Sequence, residues 1–275
     1  MHETNPVRPP SVAGLFYDDS PEILRKNING FLEQARVPKP KGTVRGLVSP
    51  HAGYVYSGLA AAHAYKMIEG ARYDCVIVVG PSHREYFNGV SVYPGEAYET
   101  PLGAIPINME VKEELIKEKK VVVASEDGHR TEHSIEVQLP FLQCVLHDFS
   151  FVPIVMGDQR RELCNELADA IVRIAANRNI LLVASSDLSH YHPYDEAVAL
   201  DTGVINAIEE FNSESFIEKM ETRLFEACGG GPIAAVMKAA RQLGASKPEI
   251  LFYCNSGDIT GEKDGVVGYL AASFV

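Results

Sequence analysis

Three short, largely apolar runs, at residues 44–48, 75–79 and 180–184, constrain what this chain can fold into more than any other feature. Each is rich in Val, Ile or Leu and is cut off by small or turn-forming residues, the pattern of a strand buried on both faces. Strands hidden in that way need helices packed above and below them. Helical periodicity alternates with strand-like runs along most of the chain. The expected fold is one α/β domain over residues 1–275, with a central, mostly parallel sheet of mixed edge flanked by helices. A histidine follows each run: Ser49-Pro50-His51, then Gly80-Pro81-Ser82-His83, then Ser185-Ser186-Asp187-Leu188-Ser189-His190. In an open parallel sheet, ligands bind at the carboxyl edge of the strands. A site fed by three histidine-bearing loops is therefore expected there.

The rest of the pattern fits that plan. Residues 6–18 read as an ordered, irregular lead-in. Ser20-Pro21 caps and opens a helix to about residue 35. Further helices are expected near 57–69, 109–119, 132–143, 160–176, 194–211 and 214–223, and from the Cys228-Gly-Gly-Gly-Pro232 break to about 243. Other strands are expected at 121–124, 151–156, 250–254 and 265–272, the last two separated by a turn at 255–262. Residues 88–107 read as short strands forming an edge hairpin. The first two runs with their helix make a βαβ unit, which places both strands parallel in one sheet.

With 46% hydrophobic and 23% charged residues, the chain can bury a full core. A formal net charge of −12, with no local Lys/Arg cluster, argues against nucleic acid or an anionic membrane as partner. No apolar run approaches the roughly 20 residues of a membrane helix, and the start lacks the basic-then-apolar order of a signal peptide. Five cysteines, an odd number without Cys-x-x-Cys, fit a reducing cytoplasm better than a disulfide framework.

A histidine after a strand is commonly a cap or packing residue. Three at similar offsets from parallel strand ends are harder to explain that way. Neighbouring strands lie about 4.8 Å apart, so side chains leaving adjacent ends can converge on one atom. His51 and His83, held by proline and small residues, are candidate neutral metal ligands. Asp187 either ligates a metal, orients a histidine or caps the turn that follows it. Glu132-His133-x-x-Glu136 is expected on a helix, where His133 and Glu136 share a face. That face either looks into a cleft or lets the acids complement the helix dipole. At Cys228, the glycines that follow either offer N–H groups to an anion, or the helix start lowers the thiol's pKa and Cys228 supplies a thiolate. His190, Asp187 and His133 are the candidate catalytic residues, with His190 as general acid/base near neutral pH. A P-loop, a dinucleotide glycine motif and a serine-hydrolase elbow are all missing. The other cysteines sit in apolar runs or on helices and read as structural.

Five phrases together resemble the MEMO family, named for a mediator of cell motility. They are Ser-Pro-His51-Ala-Gly-Tyr-Val-Tyr-Ser-Gly, Gly-Pro-Ser-His83, Glu132-His-Ser-Ile-Glu-Val-Gln-Leu-Pro-Phe, Ser-Ser-Asp187-Leu-Ser-His190 and Cys228-Gly-Gly-Gly-Pro, and the likeness runs from about Val7 to the end. It implies a fold like that of class III extradiol ring-cleavage dioxygenases, which use non-haem Fe(II) to open catechol rings. By that resemblance His51 and His83 take the places of two iron-binding histidines, and Cys228 stands near where the dioxygenases carry a glutamate ligand. His190 matches their acid/base histidine, and Asp187 lines the same pocket. Two histidines with a thiolate form a softer set than two histidines with a carboxylate, suiting copper or zinc as well as iron. A thiolate beside a redox metal is also open to oxidation. The resemblance thus implies an oxidoreductase dependent on iron or copper, with zinc and hydrolysis as the alternative chemistry. Microbial members tend to be encoded beside an AMMECR1-type protein and a radical-SAM protein, which implies those partners. The rival expectation is a non-catalytic binding or scaffold protein whose cleft takes a peptide or a partner loop.

Overall fold

A computed structural model of the protein describes residues 6–117 and 122–275. The chain begins β1 (Val7–Arg8), α1 (Pro21–Gln34), β2 (Gly46–Ser49), α2 (Tyr54–Lys66), β3 (Cys75–Pro81) and β4 (Val90–Val92). It continues β5 (Ala97–Thr100), β6 (Gly103–Pro106), α3 (Met109–Lys117), β7 (Val122–Ala124), a 3-10 turn (Glu136–Gln138), α4 (Leu139–Val145), β8 (Phe151–Met156) and α5 (Arg161–Ala175). It ends β9 (Ile180–Ser185), β10 (His190–His192), α6 (Tyr194–Glu209), α7 (Ser213–Glu221), α8 (Gly230–Gln242), β11 (Pro248–Asn255), α9 (Ser256–Thr260) and β12 (Val266–Phe274). The expected end of the third helix at 118–119, and the expected strand start at Val121, lie outside the described residues.

The main sheet has the order β10-β12-β2-β9-β3-β8-β4-β7, with β11 also paired to β12. Its centre is parallel: β2 pairs β9, β9 pairs β3, and β3 pairs β8. Its flanks turn antiparallel where β12 meets β2 and where β4 meets β8. This is the mixed α/β fold expected from the sequence, a sheet flanked by helices.

Side chains along the central strands alternate between two cores, as a sheet covered on both faces requires. Ile77, Val79, Leu182 and Ala184 face one core with α3, α5, α6, α7 and α8. Val76, Val78, Leu181 and Val183 face the other with α1, α2 and α4. Amphipathic helices bring matching apolar stripes, such as Leu24, Ile28 and Leu32 of α1.

The structure departs from expectation at four places. The 88–107 region does not form one edge hairpin. β4 joins the main sheet, while β5 and β6 pair with each other and with β1 in a separate three-stranded sheet. α2 begins at Tyr54 rather than near 57, because Gly53 already serves as its N-cap. The expected turn at 255–262 holds α9, which is short but closed by a capping box between Asn255 and Asp258. Residues 132–135 are not helical. The Glu132 carboxylate accepts the backbone N–H groups of His133 and Ser134, both at 2.9 Å. A local side-chain acceptor of this kind competes with helix bonding, so regular turns start only at Glu136.

Candidate metal centre

Sheet order decides how the site is assembled. β9 lies between β2 and β3, so His51 and His83 do not leave adjacent strands, as a spacing argument suggests. Their strands are two spacings apart, roughly 10 Å. The loops after Ser49 and Pro81 bend over the end of β9 and bring the two imidazole rings to 5.0 Å. His133 completes a ring cluster, 5.3 Å from His51 and stacked on His83 at 4.8 Å, with Phe16 against it at 4.8 Å. Thus His133, from the loop before α4, meets the two strand-end histidines. His190 comes from β10, a short edge strand antiparallel to β12.

Each ligand candidate has its second nitrogen occupied. The Oγ of Ser185 donates to the Ser134 carbonyl at 2.5 Å and accepts the Gln138 amide at 2.8 Å. Its 2.8 Å contact with His51 Nδ1 is therefore one in which the imidazole donates. Tyr65 donates to the Gln138 Oε1 at 2.7 Å, which fixes the direction of that amide. The His51 Nε2 lone pair is left facing the Cys228 sulfur at 3.1 Å. His83 donates from Nδ1 to Glu132 Oε1 at 3.0 Å and from its backbone to Oε2 at 2.5 Å. This carboxylate–histidine arrangement sets the tautomer in metal sites and leaves Nε2 as the ligand atom.

Cys228 arrives from the other side of the sheet edge, just before α8. A Cβ on Gly229 would collide with the Ser185 carbonyl and come within 2.8 Å of Ser186 Cβ. Only glycine lets the start of α8 press so closely on the end of β9. The Cys228 and Asp187 backbones are joined by Cys228 N–H to the Asp187 carbonyl at 3.2 Å, and the Asp187 N–H points at Sγ from 3.3 Å. One donor atom each from His51, His83 and Cys228 lie within 4.8 Å of one another. His83, Glu132 and His133 make a second such group. Two imidazoles with free lone pairs beside a thiol fit a transition metal of borderline softness.

The electrostatics suit neutral donors. Burial, then the neighbouring His83 and His133, holds His51 well below the usual histidine range. Burial lowers His133 to about 4 and also lowers His190. Burial would raise Glu132, but the hydrogen bonds it accepts from the His83 side chain and backbone outweigh it and hold the carboxyl well below its ordinary value. Cys228 goes against the expectation of an activated thiolate. Burial, then the Asp187 carboxylate, pushes the thiol up, and the N–H groups of Asp187 and Gly229 do not compensate.

Asp187 and Glu136 also act differently from expectation. The Asp187 Oδ1 accepts the His51 backbone N–H at 2.7 Å, pinning the histidine loop rather than orienting His190. Burial raises this carboxyl to about 7 against the pull of the His51 and Ala52 N–H groups. His190 is set by its own loop, with Nδ1 bonded to the Leu188 carbonyl at 2.9 Å, leaving Nε2 free. Glu136 does not share the cleft with His133. It is fully buried and accepts from Arg8 (2.7 Å), Ser11 N–H (2.8 Å), Val12 N–H (2.9 Å) and Tyr17 (2.6 Å), fastening the lead-in to the sheet.

A cleft of about 400 Å³ opens beside the centre, lined by Cys228, His190, Leu188 and residues of the turn after α7. That volume suits a small molecule. Ser185, Gln138 and Ser134, which set His51, escape a reading of the sequence. The one hint is polar residues directly after an apolar strand.

Comparison with known proteins agrees with the phrases that carry the site. The Memo-like protein family matches residues 8–273. A MEMO1 family protein of Nitrosopumilus maritimus is 36% identical over 274 residues, covering 98% of this chain and 100% of that protein. One from Saccharolobus islandicus is 40% identical over 97% of this chain and 99% of its own, and one from Thermoplasma volcanium 39% over 96% of each. Among solved structures, an uncharacterized protein of Escherichia coli K12 shares the fold with a TM-score of 0.60 at 14% identity, covering 84% of this chain and all of that one. The chain therefore belongs to the Memo-like family, whose members here carry the name MEMO1 family protein.

Proposed function

We propose that this protein is a cytoplasmic, metal-dependent oxidoreductase. In this reading His51 Nε2, His83 Nε2 and Cys228 Sγ hold iron or copper, and a small molecule in the adjoining cleft is the substrate. The observation that supports it is the convergence of three ligand atoms within 4.8 Å, with the far nitrogens of both histidines already engaged. When bound, such a metal supplies one-electron redox chemistry and Lewis acidity. The chain's own residues divide the remaining work. Ser185 and Glu132 hold the two imidazoles in the ligating tautomer, and Asp187 fixes the backbone that carries His51. His190 presents a neutral Nε2 that can accept a proton from a substrate hydroxyl in the cleft. Phe16 packs against the His133 ring at 4.8 Å.

The test is metal content by mass spectrometry on anaerobically purified protein. Wild type should carry iron or copper at about one per chain. Cys228→Ser should lower affinity by roughly 10- to 100-fold or more, since even supporting residues of metal sites are worth that much. His51→Ala with His83→Ala should lose the metal while keeping the circular dichroism spectrum. Zinc in place of iron or copper would redirect the reading to hydrolysis. Full metal retention in the double variant would refute the ligand assignment.

A further inference from the structure

The cleft beside the centre carries a cation that is unpaired among the described residues. Arg223 lines it together with Leu188, His190, Phe225, Glu226 and Cys228. Among the described residues the Arg223 guanidinium makes no ion pair and no hydrogen bond. The cleft's acid, Glu226, is engaged elsewhere, by His192 Nε2 at 2.9 Å. Arg84, next to His83, is a second exposed arginine without a partner among the described residues. In a chain of formal net charge −12, each of these guanidinium groups is open to an anion.

The backbone at Arg223 adds an independent observation. α7 ends in a Schellman motif, with Arg223 N–H bonded to the Met220 carbonyl and Leu224 N–H to the Lys219 carbonyl, both at 3.0 Å. Arg223 occupies the left-handed position of that motif, at φ 57°. Glycine is the usual residue there because it carries no steric cost. An arginine held in a strained conformation, with its charge unspent and its side chain on a cleft, points to use rather than stability.

We infer that the cleft takes a small organic anion, its acidic group held by Arg223 and its apolar body resting on the half-buried Met220. This deepens the reading of the cleft as a substrate site. A planar guanidinium pairs two-pronged with either a carboxylate or a phosphoryl group, so both are covered by the same chemistry.

The test is calorimetric titration with three probes: benzoate, phenyl phosphate and uncharged benzamide. At least one anion should bind about tenfold or more tighter than benzamide, the scale of a charge-assisted hydrogen bond. The better of the two assigns the acidic group. Arg223→Gly removes the strain, so its Tm should stay level or rise while the anion preference disappears. Arg223→Gln should lose the preference too, and Arg223→Lys should keep part of it. Equal binding of anions and benzamide, no anion binding, or full anion affinity in Arg223→Gly and Arg223→Gln would each overturn the assignment. The same titration in the His51→Ala, His83→Ala background separates this inference from the metal reading. Preference that persists there, yet is lost with Arg223, supports the arginine whatever the metal content. Preference lost with the histidines and kept without Arg223 overturns it and leaves the metal centre standing.

Discussion

Tyr98 donates to Nδ1 of His129 at 2.6 Å, and Ser91 Oγ, whose proton goes to the Asp127 carbonyl at 2.6 Å, faces Nε2 at 3.1 Å. With Nε2–H donating to Ser91 and Nδ1 accepting from Tyr98, both ring nitrogens are satisfied in the neutral imidazole. Burial, then the Arg8 guanidinium, lowers this histidine to about 3. Between pH 6.5 and that value the unfolded chain binds a proton that the folded one refuses, so stability rises with pH across this window. The contribution is complete above about pH 6.5 and is lost as pH falls, at up to roughly 1.4 kcal/mol per pH unit. Urea denaturation at pH 7 and pH 5 should show the loss, and His129→Gln should reduce the slope by about one proton. An unchanged slope would mean that other groups set the acid limit. Nothing near His129 in sequence signals this role. Its partners come from β4, β5 and the lead-in, and only the fold gathers them. His51, His83 and Cys228 were legible because each stands in a phrase that ends a strand or opens a helix.

At the scale of elements, the centre depends on how tightly α8 seats on the end of β9. Gly229→Ala would drive a methyl into backbone and Ser186, neither of which can yield. Forced overpacking of this kind costs typically about 1–3 kcal/mol, and the displacement would carry Cys228 away from His51. Lower thermal stability together with reduced metal content is the expected result. Gly30 in α1 is the control, since a Cβ there meets nothing within 4 Å. Gly30→Ala should stabilise by about 0.5–1 kcal/mol through helix propensity and leave metal uptake unchanged. Equal metal content in both variants would show that Cys228 tolerates a shift of α8. Long elements such as α5 and α6 followed from their periodicity to within a few residues. The non-helical segment before Glu136 did not, because the acceptor that stops the helix is the Glu132 side chain, which becomes available only once it is held beside His83.

For the whole molecule, a metal at the sheet edge would join three segments far apart in the chain: the loops after β2 and β3 and the start of α8. Binding to the folded state alone stabilises by about 2.7 kcal/mol when free metal is 100 times its Kd. Because burial keeps the Cys228 thiol protonated at neutral pH, uptake must displace that proton. Affinity should therefore rise with pH, by up to about tenfold per unit below the thiol's pKa, and calorimetry in buffers of different ionisation enthalpy should register the release. Anaerobic Fe(II) addition should raise Tm in wild type and not in His83→Ala. A pH-independent affinity would indicate that sulfur is not a ligand.

The sequence by itself determined the class of fold. Runs of apolar residues too short for helices, alternating with amphipathic helices, have few solutions other than a covered, largely parallel sheet. It also determined where chemistry-bearing side chains leave that sheet, since strand ends and turn residues are local signals. Strand order was left to tertiary structure. β9 sits between β2 and β3, so the loops must bend over it for His51 and His83 to meet, and Ser185 at its tip becomes the residue that sets the His51 tautomer. Tertiary structure likewise sent Glu136 to Arg8 and Tyr17, gave Asp187 to the backbone of His51, and placed Arg223 on the cleft beside the centre. These pairings link residues up to about 136 positions apart in the chain. No periodicity encodes them, because each follows from which elements the core brings into contact, and a local pattern carries no record of that.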